Sequence, residues 1–106
     1  MKKLLFVCER NEQRSPSFEA WFKENRKNYE VKSAGIANAL PGMIDRDILE
    51  WADMVFLMDL EQEIFIRREF PEFLSKTEII GCSDQYPGYS PQLNRLIAYW
   101  ANKRGL

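Results

Sequence analysis

The chain has 106 residues, of which 45% are hydrophobic and 13% aromatic, and its net charge is −1 from 15 basic and 16 acidic side chains. A chain of this length and composition folds around one hydrophobic core, so we expect a single domain over residues 1–106 rather than two domains or a disordered chain. Because there is no basic excess, we expect no nucleic acid partner, and any anion site must be local.

Histidine is absent from the sequence. This excludes Ser-His and Cys-His nucleophile pairs and the usual zinc ligand sets, and we expect no metal and no other cofactor. Two cysteines, Cys8 and Cys82, are too few for a disulfide framework and favour a reducing compartment. The apolar stretch that ends at Cys8 is too short for a signal peptide core, and no other run reaches membrane-spanning length. We therefore expect a cytoplasmic protein with no membrane partner.

The first third of the chain predicts a strand, a helix and a second strand. Residues 3–8 form a continuous apolar run, typical of a central strand covered on both faces. Residues 16–28 show helical spacing, with Phe18, Trp21 and Phe22 as the apolar stripe. Residues 29–33 alternate as expected of an edge strand. Gly35 then breaks this strand, and it is either a plain turn glycine or the end of a Ser-Ala-Gly step that resembles the one after the second strand in the family named below.

The remainder of the chain continues the alternation of helices and strands. A short helix is expected over residues 45–51 and an apolar central strand over 53–59. The helix over 60–70 is predicted to turn Leu60, Ile64 and Phe65 inward. A short strand at 77–82 and a loop at 84–89 precede the last helix, which runs from Pro91 and ends at Gly105.

Four strands alternating with helices predict one α/β domain, a four-stranded parallel sheet with helices on both faces. Ligands of such sheets bind beyond the carboxyl ends of the strands. Cys8, Gly35, Asp59 and Asp84 all lie near those ends. We therefore expect the loop after Cys8 and the Asp84 segment to share one crevice.

The segment from Cys8 to Pro16, Cys-Glu-Arg-Asn-Glu-Gln-Arg-Ser-Pro, has the composition of an anion-holding loop. It stands between a strand and a helix, so its amides and the positive end of the helix dipole can face one ligand. A thiol at Cys8 would lose its proton readily there. Arg14 offers a planar fork to two phosphate oxygens. Ser15 is predicted to cap the helix and to reach the sulfur with its hydroxyl.

This loop resembles the phosphate loop of the low-molecular-weight protein tyrosine phosphatases, and the whole chain resembles a shortened branch of that family. In the family a Cys is followed by five residues, Arg, Ser and Pro, with Asn at the fourth position. The resemblance implies a Rossmann-type fold and hydrolysis of a phosphotyrosine-type phosphomonoester, on a phosphorylated protein or a small aryl phosphate, through a cysteinyl-phosphate. It implies a nucleophile at Cys8, and phosphate contacts from Glu9, Arg10, Asn11, Glu12, Gln13, Arg14 and Ser15.

The family's proton donor lies in an Asp-Pro-Tyr loop before the last helix. Asp84-Gln85-Tyr86 is the matching stretch, with Gln85 in place of the proline. We expect Asp84 to protonate the leaving oxygen and then to activate water, with Asp59 as the alternative acid. The alternative that Asp84 only forms a turn stays open. Tyr86, like Tyr89, is expected either to stack on an aromatic substrate or to serve ordinary packing.

Three residues within the loop after Cys8 depart from the family pattern. Glu9 and Glu12 bring carboxylates into the loop, and at about 8 Å from a phosphate each would cost roughly 0.5–2 kcal/mol of repulsion, depending on the dielectric constant. Direct contact with Arg14 would outweigh this, so we expect binding to survive. Glu12 on the rim would disfavour strongly acidic phosphopeptides. Arg10 replaces a glycine, which matters if that residue needs a positive φ.

Two other functions remain open from the sequence alone, and a third is disfavoured. The first is that of a degenerate phosphatase, which holds phosphate or a phosphoprotein without turnover. The second is that of a sugar-transport phosphocarrier, which uses a phosphorylated cysteine. Arsenate reduction is disfavoured, because it needs additional thiols and only Cys82 is available. The sequence leaves the oligomeric state open.

Overall fold

Strands and helices alternate in the structure, a computed structural model that describes residues 1–37, 42–83 and 85–106. None of the helices within these ranges has the length and hydropathy that spanning a membrane requires. The strands are β1 (Lys2–Cys8), β2 (Tyr29–Gly35), β3 (Met54–Leu57) and β4 (Thr77–Ile79). The helices are α1 (Arg14–Asn25), α2 (Arg46–Trp51), α3 (Leu60–Glu69) and α4 (Pro91–Arg104), and a 3₁₀ helix (Pro71–Lys76) precedes β4.

The first strand lies inside a four-stranded sheet of order β2-β1-β3-β4. β1 pairs in parallel with β2 and with β3, and β3 pairs in parallel with β4. The side chains from Leu4 to Val7 are fully buried, as expected for a strand covered on both faces. The prediction of a four-stranded parallel sheet with β1 and β3 inside and β2 at an edge is confirmed.

Helices α1 and α4 cover one face of the sheet, and α2 and α3 cover the other. Successive side chains of β1 alternate between the two cores: Leu4 and Phe6 face α1 and α4, while Leu5 and Val7 face α2 and α3. The predicted layer arrangement is therefore confirmed. The helices contribute to these cores the fully buried Phe18, Phe22, Leu93, Ile97 and Ala101 on the first face and Leu49 and Ile66 on the second.

Phe6 lies at the centre of an aromatic cluster on the first face. Its ring centroid is 5.1 Å from those of Phe18 and Phe22, 5.4 Å from that of Phe56 and 6.0 Å from that of Trp100. These separations are in the range of favourable aromatic pairs. Because Phe6 is two residues before the end of β1, this packing fixes the strand end against the start of α1.

The predicted inward face of α3 is wrong for Leu60 and Ile64, whereas Phe65 is partly buried against the core as predicted. Leu60 and Ile64 are 57% and 51% exposed, whereas Gln62 and Ile66 are fully buried. Residues spaced i, i+4 along this helix offer two possible buried faces. A capping box at the start of the helix determines which face is buried: the Asp59 side chain accepts from the Glu61 amide, and the Gln62 side chain accepts from the Asp59 amide. That box turns Gln62, and with it Ile66, toward the sheet.

Ile66 and Ile64 give a matched pair of variants on one helix. We expect Ile66→Ala to lower the free energy of unfolding by about 2–4 kcal/mol, because it opens a cavity against the sheet. The same change at Ile64 should stay within about 0.5 kcal/mol, since that side chain is half exposed. Urea unfolding followed by circular dichroism measures both, and equal losses would contradict the assigned face of α3.

Candidate active site

The polar segment after β1 folds into a tight loop that reverses at Asn11. Asn11 has φ 55°, and among the described non-glycine residues only Tyr89 shares this left-handed conformation. Asn is one of the few side chains that tolerate it. The concern about Arg10 is thereby removed, because the strained position falls on the neighbouring asparagine.

The Cys8 sulfur lies at the floor of this loop and is surrounded by polar groups. The side chain is only 3% exposed, and the Asn11 amide donates to Sγ over 3.1 Å. The Ser15 hydroxyl lies 2.9 Å from Sγ and also donates to Asn11 Oδ1 over 3.0 Å. A hydroxyl has one proton, so Ser15 can turn it from Asn11 to a charged sulfur. The loop therefore offers two donors to negative charge at Sγ.

Ser15 does not cap α1, contrary to the prediction. The helix begins at Arg14, the capping position is Gln13, and the Gln13 side chain makes no capping bond. Ser15 instead stands in the first turn with its hydroxyl turned toward the sulfur and the Ala34 carbonyl. The predicted contact with the sulfur is present, and it is this contact that takes the hydroxyl away from the helix end.

Arg14 is a buried cation tied to two neighbouring strand ends. Its Nη1 donates to Asp59 Oδ2 and to the Cys82 carbonyl, both over 2.9 Å. The residue is 8% exposed, yet it lines the cavity above the sulfur. Both bonds use Nη1, so among the described contacts the edge formed by Nε and Nη2 stays available to a ligand. A planar guanidinium held in this way meets two oxygens of a tetrahedral anion.

Asp59, the alternative acid, is held by its own helix. One carboxylate oxygen accepts from the Glu61 amide, the other binds Arg14, and the backbone amide donates to Gln62 over 2.7 Å. Gln62 is fully buried, and within the described residues its Nε2 has no partner. This arrangement gives Asp59 the geometry of a group that orients Arg14.

Gly35 supports the loop from below by its lack of a side chain. A Cβ there would lie 2.8 Å from the Glu9 carbonyl oxygen and 2.9 Å from the backbone of Arg10 and Asn11. The Glu9 carbonyl also accepts from the amides of Ile36 and Ala37, each over 2.8 Å. The glycine is thus required by the close approach of the loop backbone.

The cavity above the sulfur has a volume of about 220 Å³. The side chains of Glu9, Arg10, Glu12 and Gln13 stand at its exposed rim, and Arg10 Nε lies 3.7 Å from Glu12 Oε1. Most of the predicted phosphate-loop residues thus meet around one cavity, with Asn11 and Ser15 behind it on the sulfur. Its lining consists of Cys8, Glu9, Arg10, Glu12, Gln13 and Arg14.

The segment before α4 docks on the phosphate loop through Ser17. The Tyr89 amide donates to Ser17 Oγ over 2.8 Å, and that hydroxyl donates to the Gln13 carbonyl over 2.6 Å. A Cβ at Gly88 would lie 3.1 Å from Gln13. Sequence reasoning missed Ser17, because the contact joins residues 72 positions apart. It holds Gly88 and Tyr89 against the end of the loop at Gln13.

The two tyrosines of that segment differ in burial. Tyr86 is partly buried and packs against the core on the α1 and α4 face, whereas Tyr89 is 58% exposed. Substrate contact by either ring stays a prediction. Asp84, the expected proton donor, lies outside the described residues.

Comparison with known proteins shows which fold this is. No protein-family model matches the sequence, and no curated protein matches it. The low-molecular-weight protein tyrosine phosphatase from T. tengcongensis superimposes with a TM-score of 0.79 at 20% identity, over 98% of this chain and 97% of its own. The protein has the low-molecular-weight protein tyrosine phosphatase fold.

Two further solved structures place the same fold over nearly the full length of the chain. Wzb from Vibrio vulnificus, solved with benzylphosphonate, is 21% identical over 99% of both chains, with a TM-score of 0.79. The YwlE arginine phosphatase from Geobacillus stearothermophilus is 22% identical over 99% of this chain and 94% of its own, with a TM-score of 0.77. The similarity in fold therefore extends over nearly the whole of both chains in each comparison.

Cys82 takes part in this fold as a structural residue. Its thiol is buried, and burial raises its pKa, outweighing the opposite effect of Arg14; the nearby Asp59 and Cys8 also raise it. The thiol therefore stays protonated near neutral pH. Strand β3 separates β4 from β1, so those two strands lie about 9–10 Å apart, and both cysteines are free thiols. This arrangement does not favour a thiol shuttle.

Gly35→Ala tests the support of the loop. We expect the added methyl group to displace residues 9–11 and to weaken vanadate binding by about tenfold to a hundredfold. Isothermal titration calorimetry measures the affinity. Gly105→Ala is the control, since that residue has φ +84° with open space around it and lies at the end of α4. The control should lose about 1 kcal/mol of stability and keep its vanadate affinity. Unchanged affinity in Gly35→Ala would refute the supporting role.

Proposed function

We propose that the protein is a phosphomonoester hydrolase of the phosphotyrosine type that works through a cysteinyl-phosphate. The observation that supports this best is the meeting of a thiol and an oriented guanidinium at one cavity. The Cys8 sulfur lies at the floor of that cavity with the Asn11 amide 3.1 Å away, and Arg14 forms its wall. A phosphoryl group that accepts from Arg14 would stand directly above the sulfur.

The reaction on this site has two displacements at phosphorus. The Cys8 thiolate attacks the phosphorus, the bond from phosphorus to the ester oxygen breaks, and the leaving oxygen takes a proton from Asp84. Water, deprotonated by the resulting Asp84 carboxylate, then attacks the phosphorus and breaks the P–S bond. Phosphate and the free thiolate are the products, so no metal or other cofactor is needed. Ser15 stabilises the leaving thiolate in the second step by donating to Sγ.

The start of α1 and the Arg14 side chain supply the charge stabilisation. The helix begins at Arg14, so its positive end faces the cavity together with the guanidinium. Arg14 is already held by Asp59 and the Cys82 carbonyl before a ligand arrives. Donors oriented in advance need no reorganisation as charge develops on the equatorial oxygens, which is where such sites gain most of their rate.

Solved structures of the same fold support a phosphoenzyme step. One is described as a YwlE arginine phosphatase Cys-to-Ser mutant with a phosphorylated active site serine, and another as the tyrosine phosphatase Wzb from Escherichia coli K30 in complex with phosphate. Both cover at least 96% of this chain, with TM-scores of 0.79 and 0.76. For this protein we propose a phosphorylated protein or a small aryl phosphate as substrate.

A binding module without turnover is the second candidate function. It is favoured by Glu9 and Glu12, two acidic residues that line the cavity in which a dianion would bind. Their repulsion weakens the approach of phosphate and leaves the bonds to Arg14 intact. Such a module would bind vanadate and release no phosphate. We propose a cytoplasmic location for either function, since both cysteines are free thiols and the site needs Cys8 reduced.

Cys8→Ser tests the nucleophile, with Cys82→Ser as the matched control. We expect hydrolysis of p-nitrophenyl phosphate to disappear in Cys8→Ser, because a serine hydroxyl is a far weaker nucleophile without an adjacent base. Cys82→Ser should keep its turnover within a few-fold, since only the backbone carbonyl of Cys82 touches Arg14. Equal rates in Cys8→Ser and the unmodified protein would remove the phosphatase mechanism. Binding of vanadate with no turnover in the unmodified protein would favour the binding module.

Asp84→Asn and Asp59→Asn separate the proton donor from the residue that orients Arg14. A missing donor matters most for a basic leaving group, so Asp84→Asn should slow phenyl phosphate by about 10²–10⁴-fold and p-nitrophenyl phosphate much less. Asp59→Asn disturbs Arg14 and should slow both substrates by the same factor, while the helix cap survives as an asparagine cap. Steady-state kinetics on the two substrates decide between them. The reverse pattern would make Asp59 the acid.

A further inference from the structure

The rim of the phosphate cavity carries more acid than base. Glu9 and Glu12 line it, and a third carboxylate, that of Asp59, is paired with Arg14. Only two guanidinium groups, those of Arg10 and Arg14, accompany them among the described lining residues. For a pocket that receives a dianion this balance is unexpected, because each uncompensated carboxylate repels the ligand.

The two cations at the rim are already engaged. Arg14 forms a close ion pair with Asp59, with 2.9 Å between Nη1 and Oδ2. Arg10 stands 3.7 Å from Glu12 with both side chains about 60% exposed. An exposed pair of this kind is weak and easily exchanged. Glu9 also lines the cavity and its side chain is exposed, and among the ion pairs of the described residues none includes Glu9.

A substrate can supply the missing charge. A cation placed beside the phosphoryl group would lie within reach of Glu9 and could replace Arg10 at Glu12. An acidic group in the same place would be repelled by both carboxylates. These interactions act over several ångströms at a partly exposed rim, so they decrease as salt is added. They discriminate between substrates more than they hold the phosphate, which remains the task of Arg14.

We infer that this site selects phosphorylated side chains that have a basic residue next to them in the chain. Glu9 and Glu12 are the specificity-determining residues, and Arg10 opposes them. The inference rests on the proposed phosphatase function and adds the class of substrate to it. Glu9, Arg10 and Glu12, the three loop residues that depart from the family pattern, then serve to select the substrate.

Three phosphotyrosine peptides of equal length test the selection. They differ only in the two residues that flank the phosphotyrosine, which are both Lys, both Gln or both Glu. We expect the unmodified protein to show a kcat/KM about tenfold higher for the Lys peptide than for the Glu peptide at low ionic strength, with the Gln peptide between them. At 0.5 M salt the ratio should fall to about twofold, because the Debye length shortens to a few ångströms.

Charge-neutralising variants identify the residues responsible. The readout is the Lys-to-Glu ratio of kcat/KM within each variant, so that a change in overall rate cancels. We expect Glu9→Gln and Glu12→Gln each to reduce this ratio by about threefold, and Arg10→Gln to increase it. A merely structural role of these side chains would change the rates of all three peptides together and leave the ratio constant.

These measurements distinguish a failure of the substrate selection from a failure of the phosphatase function. If the unmodified protein hydrolyses p-nitrophenyl phosphate through Cys8 but shows a Lys-to-Glu ratio near one, the selection is refuted and the phosphatase function stands. A ratio that stays the same in both glutamate variants also refutes the selection by these residues. If neither p-nitrophenyl phosphate nor any peptide is hydrolysed, the phosphatase function fails and the selection fails with it.

Discussion

The interaction between Arg14 and its two acceptors is the constraint on which the site depends. The guanidinium joins the loop after β1 to the Asp59 carboxylate after β3 and to the Cys82 carbonyl after β4. A buried cation without partners would be costly, so its presence requires these three strand ends to lie together. The same two bonds aim the group at the cavity. The ion pair is thus better understood as a device for orientation than as a source of stability.

The loop itself is positioned by backbone contacts rather than by side-chain packing. β1 lies inside the sheet, and the aromatic cluster around Phe6 fixes its last residues. Gly35 at the end of the neighbouring strand lets the loop lie directly on β2, and the Glu9 carbonyl is held by two amides that follow it. With its backbone held in this way, the loop can vary in side chains. Glu9 and Glu12 therefore change the charge at the rim while the sulfur and Arg14 stay in place.

A phosphate site with an acidic rim divides affinity and selectivity between different residues. In the proposed function, a bidentate contact of the Arg14 guanidinium with phosphate would be short and partly buried, so the rim carboxylates would weaken it only moderately. Rim charges act over a longer distance on whatever surrounds the phosphoryl group.

The sequence by itself determined the fold class, the central first strand and the loop that follows it. These features follow from local patterns: an apolar run, helical spacing, and a thiol and an arginine at a fixed separation between a strand and a helix. The spacing of Cys8 and Arg14 specified the cavity because both residues belong to one short loop. The buried face of α3 was not determined, since Leu60 with Ile64 and Gln62 with Ile66 offer two faces and a capping box chooses between them.

Only the tertiary structure decided what Asp59, Gly35 and Ser17 do, and which of its two predicted contacts Ser15 makes. Ser15 is a good capping residue in any chain, but here its hydroxyl is turned to a sulfur seven residues away. The bond from Arg14 to Asp59 spans 45 residues and that from Tyr89 to Ser17 spans 72. Contacts over such separations depend on which strands are neighbours and on how closely two backbones approach. Those are properties of the folded sheet, and no local pattern of residues records them.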